Sequence, residues 1–110
     1  MRTSELYKGS LESLVLQLIG RQGEMYGYEL TQRAKELSAG NLNITEGTLY
    51  PLLHKLESEG KLKSVVRPYG NRTRKYYSLT PEGKHAQAQA SERIQAFIEQ
   101  LQQFLNPKLA

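Results

Sequence analysis

Two short runs rich in valine and tyrosine, Leu62 to Arg67 and Arg74 to Leu79, flank the turn residues Pro68-Tyr69-Gly70-Asn71. This reads as a β-hairpin, and every other periodic stretch of the 110-residue chain repeats at helical spacing. A single hairpin among helices limits the fold class to mostly α with a small β-hairpin. The length supports one compact unit.

The helices can be placed from their apolar stripes and stop signals. Leu11, Leu14, Val15, Leu18 and Ile19 share one helical face, with Ser10 as N-cap and the Gly20-Arg21-Gln22-Gly23 stretch as the end. A second helix is expected over Tyr28 to Ser38, with Leu30, Ala34 and Leu37 inward, before a turn at Gly40, Asn41 and Asn43. Thr45 reads as the N-cap of a third helix that carries Leu49, Leu52, Leu53 and Leu56 in one stripe to about Glu59, where Gly60 stops it. Pro51 falls inside that helix, where it removes a donor and crowds the carbonyl of Gly47. Either the helix bends in its first turns, or it begins near Tyr50 with Pro51 at the first position. The sequence leaves both open.

Thr80-Pro81-Glu82 is a strong helix start: an N-cap, a first-turn proline and an acid at the positive end of the dipole. The helix it opens runs to about Leu105, before Asn106-Pro107. At ~1.5 Å per residue this is a rod approaching 40 Å, long for so small a chain. The order helix, helix, helix, hairpin, long helix is the layout of a winged helix-turn-helix with a C-terminal extension. Residues 1–80 are expected to form the winged unit, and residues 81–110 a dimerisation helix within the same structural unit.

Function classes narrow by exclusion. The chain has no cysteine, which removes thiolate metal sites and cysteine nucleophiles together. Its two histidines, His54 and His85, lie far apart, with no glycine-rich phosphate loop and no carboxylate–histidine cluster. No enzymatic activity, metal or cofactor is therefore expected. No apolar run is long enough to cross a membrane and no signal sequence opens the chain, so a cytoplasmic location is expected.

The net charge of +4 is modest, but its distribution is informative. Lys61, Lys63, Arg67, Arg72, Arg74 and Lys75 fall in one stretch without an acid, the stripe that a polyphosphate partner selects. On the third helix, the side opposite the leucines carries Gly47, Pro51, His54 and Ser58, flanked by Thr48, Tyr50 and Lys55. Small, hydroxyl-bearing and basic groups suit a helix that enters a major groove. In the hairpin, Arg74, Tyr76 and Ser78 share one face and Lys75, Tyr77 and Leu79 the other. Arg72, Thr73 and Arg74 near its tip are placed to meet phosphates or a minor groove. In the last helix Ala90, Ile94, Phe97, Leu101 and Phe104 recur at spacings of 4, 3, 4 and 3, widened by Ile98 and Leu105. That seam is the expected interface of a homodimer, which would read a two-fold symmetric operator in double-stranded DNA.

Three segments carry a closer resemblance. Tyr26-Gly27-Tyr28-Glu29-Leu30, Glu46 through Glu57 with its internal Pro51, and Arg74-Lys75-Tyr76-Tyr77-Ser78-Leu79-Thr80-Pro81-Glu82-Gly83 resemble the signature of PadR-type transcriptional regulators. The likeness runs from about Leu6 to Gly83, and the single C-terminal helix is similar to the smaller subfamily. It implies a homodimeric winged-helix repressor, often released by a small ligand. By motif it puts Tyr28, Thr48, Tyr50, Pro51, His54 and Lys55 on DNA-facing elements, and Arg72, Arg74 and Lys75 on the wing; Thr45 and Thr73 join this set from the reading of the helix and the hairpin. Some members of that subfamily hold flat aromatic drugs between subunits, stacked on tryptophan. This chain has no tryptophan, so Tyr7, Phe97 and Phe104 are the candidates for lining a substitute cavity, against plain interface packing. Two other readings stand beside the repressor: a winged-helix module that grips an acidic protein, and a stand-alone small-molecule sensor.

Overall fold

The computed structural model describes residues 6–108. After a 3₁₀ turn at Lys8–Ser10 come α1 (Leu11–Gln22), β1 (Met25–Tyr26), α2 (Gly27–Leu37), α3 (Glu46–Ser58), β2 (Leu62–Tyr69), β3 (Arg72–Leu79) and α4 (Pro81–Leu105). The three strands form one antiparallel sheet in the order β1-β3-β2. The architecture is that of a winged helix with a long C-terminal helix.

The leucine stripes meet in one core. Val15 and Ile19 of α1, Leu30 of α2, and Leu49, Leu53 and Leu56 of α3 pack with Met25, Leu62, Tyr77 and Leu79 of the sheet. Leu42 and Ile44 in the α2–α3 connection are buried too, which pins the turn between the two helices. Tyr77 and Leu79 are the inward residues of β3, as the alternation requires.

Helix α1 ends within the expected Gly20–Gly23 stretch: it continues to Gln22, and Gly23 at φ 93° closes it. Helix α4 crosses at Gly20, where an added Cβ would run into the Gln87 side chain. Several local expectations are corrected. Leu37, expected inward, is 60% exposed at the last residue of α2, because the chain turns away immediately after it. Pro68 and Tyr69 belong to β2, not to the turn. The loop shrinks to Gly70-Asn71, with Gly70 at φ 60°, which suits a two-residue turn with glycine first. Strand β1 was not anticipated; two residues are too few for periodicity to show.

Pro51 lies within a continuous α3, so the helix begins at Glu46, directly after Thr45. The Thr45 side chain accepts from Thr48 N–H at 3.3 Å, the N-cap bond. The root of α4 is equally well anchored. Thr80 Oγ1 donates to the Gly60 carbonyl at 2.5 Å and accepts from Gly83 N–H at 3.0 Å, while Thr80 N–H donates to the Lys61 carbonyl at 3.1 Å. Only the first part of α4 is covered, by Ala86 and Ala90. Beyond Ile94 the helix projects from the body, and the molecule measures 62 × 30 × 20 Å.

Candidate nucleic-acid interface

Helix α3 presents its leucines to the core and its opposite side to solvent. Gly47, Thr48, Tyr50, Pro51, His54, Lys55 and Ser58 are all exposed, the side that the angular spacing of the sequence predicts. The hairpin lies beside this helix, and Glu57 of α3 ties the two together. Its carboxylate accepts from Ser64 Oγ of β2 at 2.6 Å and pairs with Lys75 Nζ of β3 at 3.4 Å. The Ser64 hydroxyl, with help from Lys75, holds the Glu57 carboxyl below the usual range although burial opposes this. Lys75 Nζ also lies 5.4 Å from the Tyr77 ring centre, and burial pushes the Tyr77 phenol up.

An open cleft of about 350 Å³ results between α3, the start of α2 and the wing. It brings together Tyr28, Tyr50, His54, Thr73, Arg74 and Lys75, six of the residues singled out from the sequence. Gly27 lets it form: a Cβ there would stand 2.7 Å from the Tyr50 hydroxyl, so any side chain would displace the α3 tyrosine. Opposite Tyr26 N–H, Glu29 Oε1 accepts at 3.3 Å and fixes the start of α2.

The remaining candidates lie outside the cleft. Thr45 and Thr48 stand at the N-terminus of α3, against Lys8, Leu11 and Asn43. Arg72 sits at the wing tip, exposed. Lys55 is exposed but is engaged by Glu12 of α1 at 3.0 Å, and Lys61 reaches the same carboxylate at 3.6 Å. The hydrogen bond that Lys55 donates to the Glu12 carboxylate holds its ammonium above its ordinary range. In return the two lysines outweigh burial and lower the Glu12 carboxyl. Both members are substantially exposed, so a phosphate can compete for Lys55 at small cost.

Sequence reasoning missed an aromatic set around the wing. Tyr26, Tyr69 and Tyr76 interleave with Arg67 and Arg74 on the sheet face away from the core. Arg67 pairs with Glu24. The alternation of arginine and tyrosine in Arg74 to Tyr76 is readable in the sequence, but the diagonal partner Tyr69 reads there as a turn residue and Tyr26 carries no strand signal.

On α4, Ala90 is fully buried within its own subunit, so its side chain does not belong to the free seam. Phe97, Ile98, Leu101, Phe104 and Leu105 are exposed and Ile94 is half-buried. Tyr7 lines an apolar groove of about 210 Å³ between α1 and α2, to which neither Phe97 nor Phe104 of the same subunit contributes. Among the described residues no group of histidines and carboxylates is arranged to hold a metal, and no helix is long and apolar enough to cross a membrane.

Known proteins share this arrangement. The profile of the family described as "Transcriptional regulator PadR-like family" matches residues 15–89, from α1 into α4. A transcriptional regulator of Mycobacterium tuberculosis is 44% identical over 63 residues, which is 57% of this chain and 56% of that protein. The solved structure of a transcriptional regulator from Clostridium thermocellum superposes with a TM-score of 0.82 at 28% identity, covering 94% of this chain and all of the other. The PadR of Bacillus subtilis, solved in complex with operator DNA, gives a TM-score of 0.66 at 31% identity over 73% of this chain and 45% of that one. These relatives are regulators and not enzymes. With its signature segments on one cleft and most of its length matched by the profile, the chain belongs to the PadR-like family of transcriptional regulators.

Proposed function

We propose that this protein is a dimeric, sequence-specific DNA-binding repressor. The observation that carries the reading is the cleft, where Tyr50 and His54 of α3 and Arg74 and Lys75 of the wing line the same space. Helix α3 fits a major groove, with Thr48, Tyr50, Pro51, His54 and Lys55 toward base edges and phosphates. Arg72, Thr73, Arg74 and Lys75 follow the adjacent backbone. That the Bacillus subtilis relative was solved in complex with operator DNA supports duplex DNA as the partner. Thr45 contributes as the cap that starts the helix.

The dimer rests on α4. Phe97, Leu101 and Phe104, at 57%, 46% and 86% exposed, form a seam too apolar for a free helix face. Pairing it with a second copy sets two α3 helices about one DNA turn apart on a two-fold symmetric operator. A small aromatic ligand seated between the subunits against Phe97 and Phe104 would change that spacing and release the DNA.

The test is a salt-controlled band-shift titration on the promoter of the protein's own gene, with random duplex as competitor. Retention in excess competitor at physiological salt is expected, and Lys55→Ala and Arg74→Glu should each weaken it while the protein remains dimeric. Steep salt dependence with no preference over random duplex at this and other upstream regions would instead favour a module for acidic partners.

A further inference from the structure

The strand register puts Arg67, Tyr69, Arg72, Arg74 and Tyr76 on one face of the wing, with Tyr26 of β1 opposite Tyr76. Arg67 and Arg74 are direct cross-strand partners, a like-charge pairing that disfavours a hairpin unless each cation is drawn elsewhere. Arg67 is drawn to Glu24 and over the Tyr76 ring at 5.0 Å. Arg74 takes a different course. Its guanidinium carbon lies 3.2 Å from the centre of the Tyr69 ring and 4.1 Å from that of Tyr26. Among the described residues Arg74 has no carboxylate within ion-pair distance, whereas Lys55, Lys75 and Arg67 each have one.

A guanidinium donates only in its own plane, and its π faces accept rings. With Tyr69 and Tyr26 packed against it, the direction left for its donors is the edge, and Arg74 borders the cleft beside Thr73 and His54. We propose that Arg74 is a pre-oriented phosphate clamp, and that Tyr69 and Tyr26 are positioning residues whose rings hold its fork edge-on to the nucleic-acid backbone. The gain is preorganisation. An arginine that would otherwise sample many rotamers is held in one, and a planar fork meets a phosphate in two-pronged fashion, which lysine cannot reproduce.

The inference rests on the DNA-binding reading but not on sequence specificity, since a phosphate contact is the same in any duplex. The experiment therefore uses both the promoter fragment and a random duplex, with affinity followed against salt concentration. Arg74→Ala should lower the slope of log K against log salt by about 0.9, one phosphate contact, in both duplexes. Arg74→Lys should keep the slope and lose about tenfold in affinity. Tyr69→Leu should also keep the slope and lose about fivefold, the scale of a cation–π contact. Tyr69→Phe, which keeps the ring, should stay within about twofold. The double variant Tyr69→Leu/Arg74→Ala should be no weaker than Arg74→Ala alone by more than about twofold, because the ring acts only through the arginine.

An unchanged slope in Arg74→Ala, wild-type affinity in Arg74→Lys, or full additivity in the double variant overturns the clamp. Arg74→Lys and Arg74→Ala carry the test even if Tyr69→Leu fails to fold. Wild-type binding to both duplexes without preference removes the specific-repressor reading and leaves the clamp measurable. Binding to neither duplex overturns both.

Discussion

Substituting Gly83 by alanine tests the joint between the wing and α4. Gly83 is buried in the first turn of α4, pressed against the start of β2. A Cβ added there would lie 1.9 Å from the Lys61 carbonyl oxygen and 3.0 Å from its carbon. The obstacle is backbone, so no side-chain rotation relieves it; helix and strand must part by about an ångström. In an ordinary helix Gly→Ala stabilises by up to about 1 kcal/mol. Overpacking of this kind costs about 1–3 kcal/mol. Parting the elements also strains the Thr80 bonds to Gly60 and Lys61, each worth about 1 kcal/mol. The net expectation is a loss of about 2 kcal/mol, near 10 °C in Tm for a chain of this size. The assay is urea and thermal unfolding followed by circular dichroism, at one fixed protein concentration because dimerisation would contribute. Gly47→Ala is the control: it is also helical, with nothing within 4 Å of the added methyl, and should be neutral or stabilising. A Gly83→Ala protein as stable as wild type would refute the reasoning, since the packed joint would then be pliable.

Three further outcomes are expected. Thr45→Ala removes the N-cap of α3 and should cost about 1 kcal/mol in urea denaturation, whereas Thr45→Asn should be close to wild type. Leu101→Lys, on the exposed seam of α4, should convert the proposed dimer to a monomer in sedimentation equilibrium without altering the helical signal of the subunit. The Glu57 carboxyl is held below its usual value of 4.5 by Ser64 and Lys75, so its contribution is present above that pH and disappears as pH falls through the lowered value. Wild-type stability should therefore decline below about pH 4.5 more steeply than that of Glu57→Gln, as measured by unfolding midpoints between pH 3 and 6.

Much of the fold was legible because each helix is longer than its own repeat. The stripes at Leu11 to Ile19 and Leu49 to Leu56, the cap at Thr45 and the Thr80-Pro81-Glu82 start all express a period or a local hydrogen bond, and such features depend only on near neighbours along the chain. The exposed side of α3 followed from the same angular arithmetic. What depended on distant neighbours was not legible. The crossing of Gln87 over Gly20 has no trace in the sequence, and Leu37 continues a stripe that has no core left to meet. Ala90 fits the heptad seam in sequence yet is consumed by its own subunit.

Charge behaved in the same way. The basic stripe from Lys61 to Lys75 and Lys55 on α3 can be counted in the sequence, and they point to an anionic partner. Which of those cations is engaged by a carboxylate and which is stacked between rings was decided by folding, which brings Glu12 to Lys55, Glu57 to Lys75 and two tyrosines to Arg74. The physical reason is range. Helical period, capping and turn chemistry act over three or four residues, whereas a cleft is made where elements remote in sequence meet, and the identity of those neighbours exists only once the core has closed.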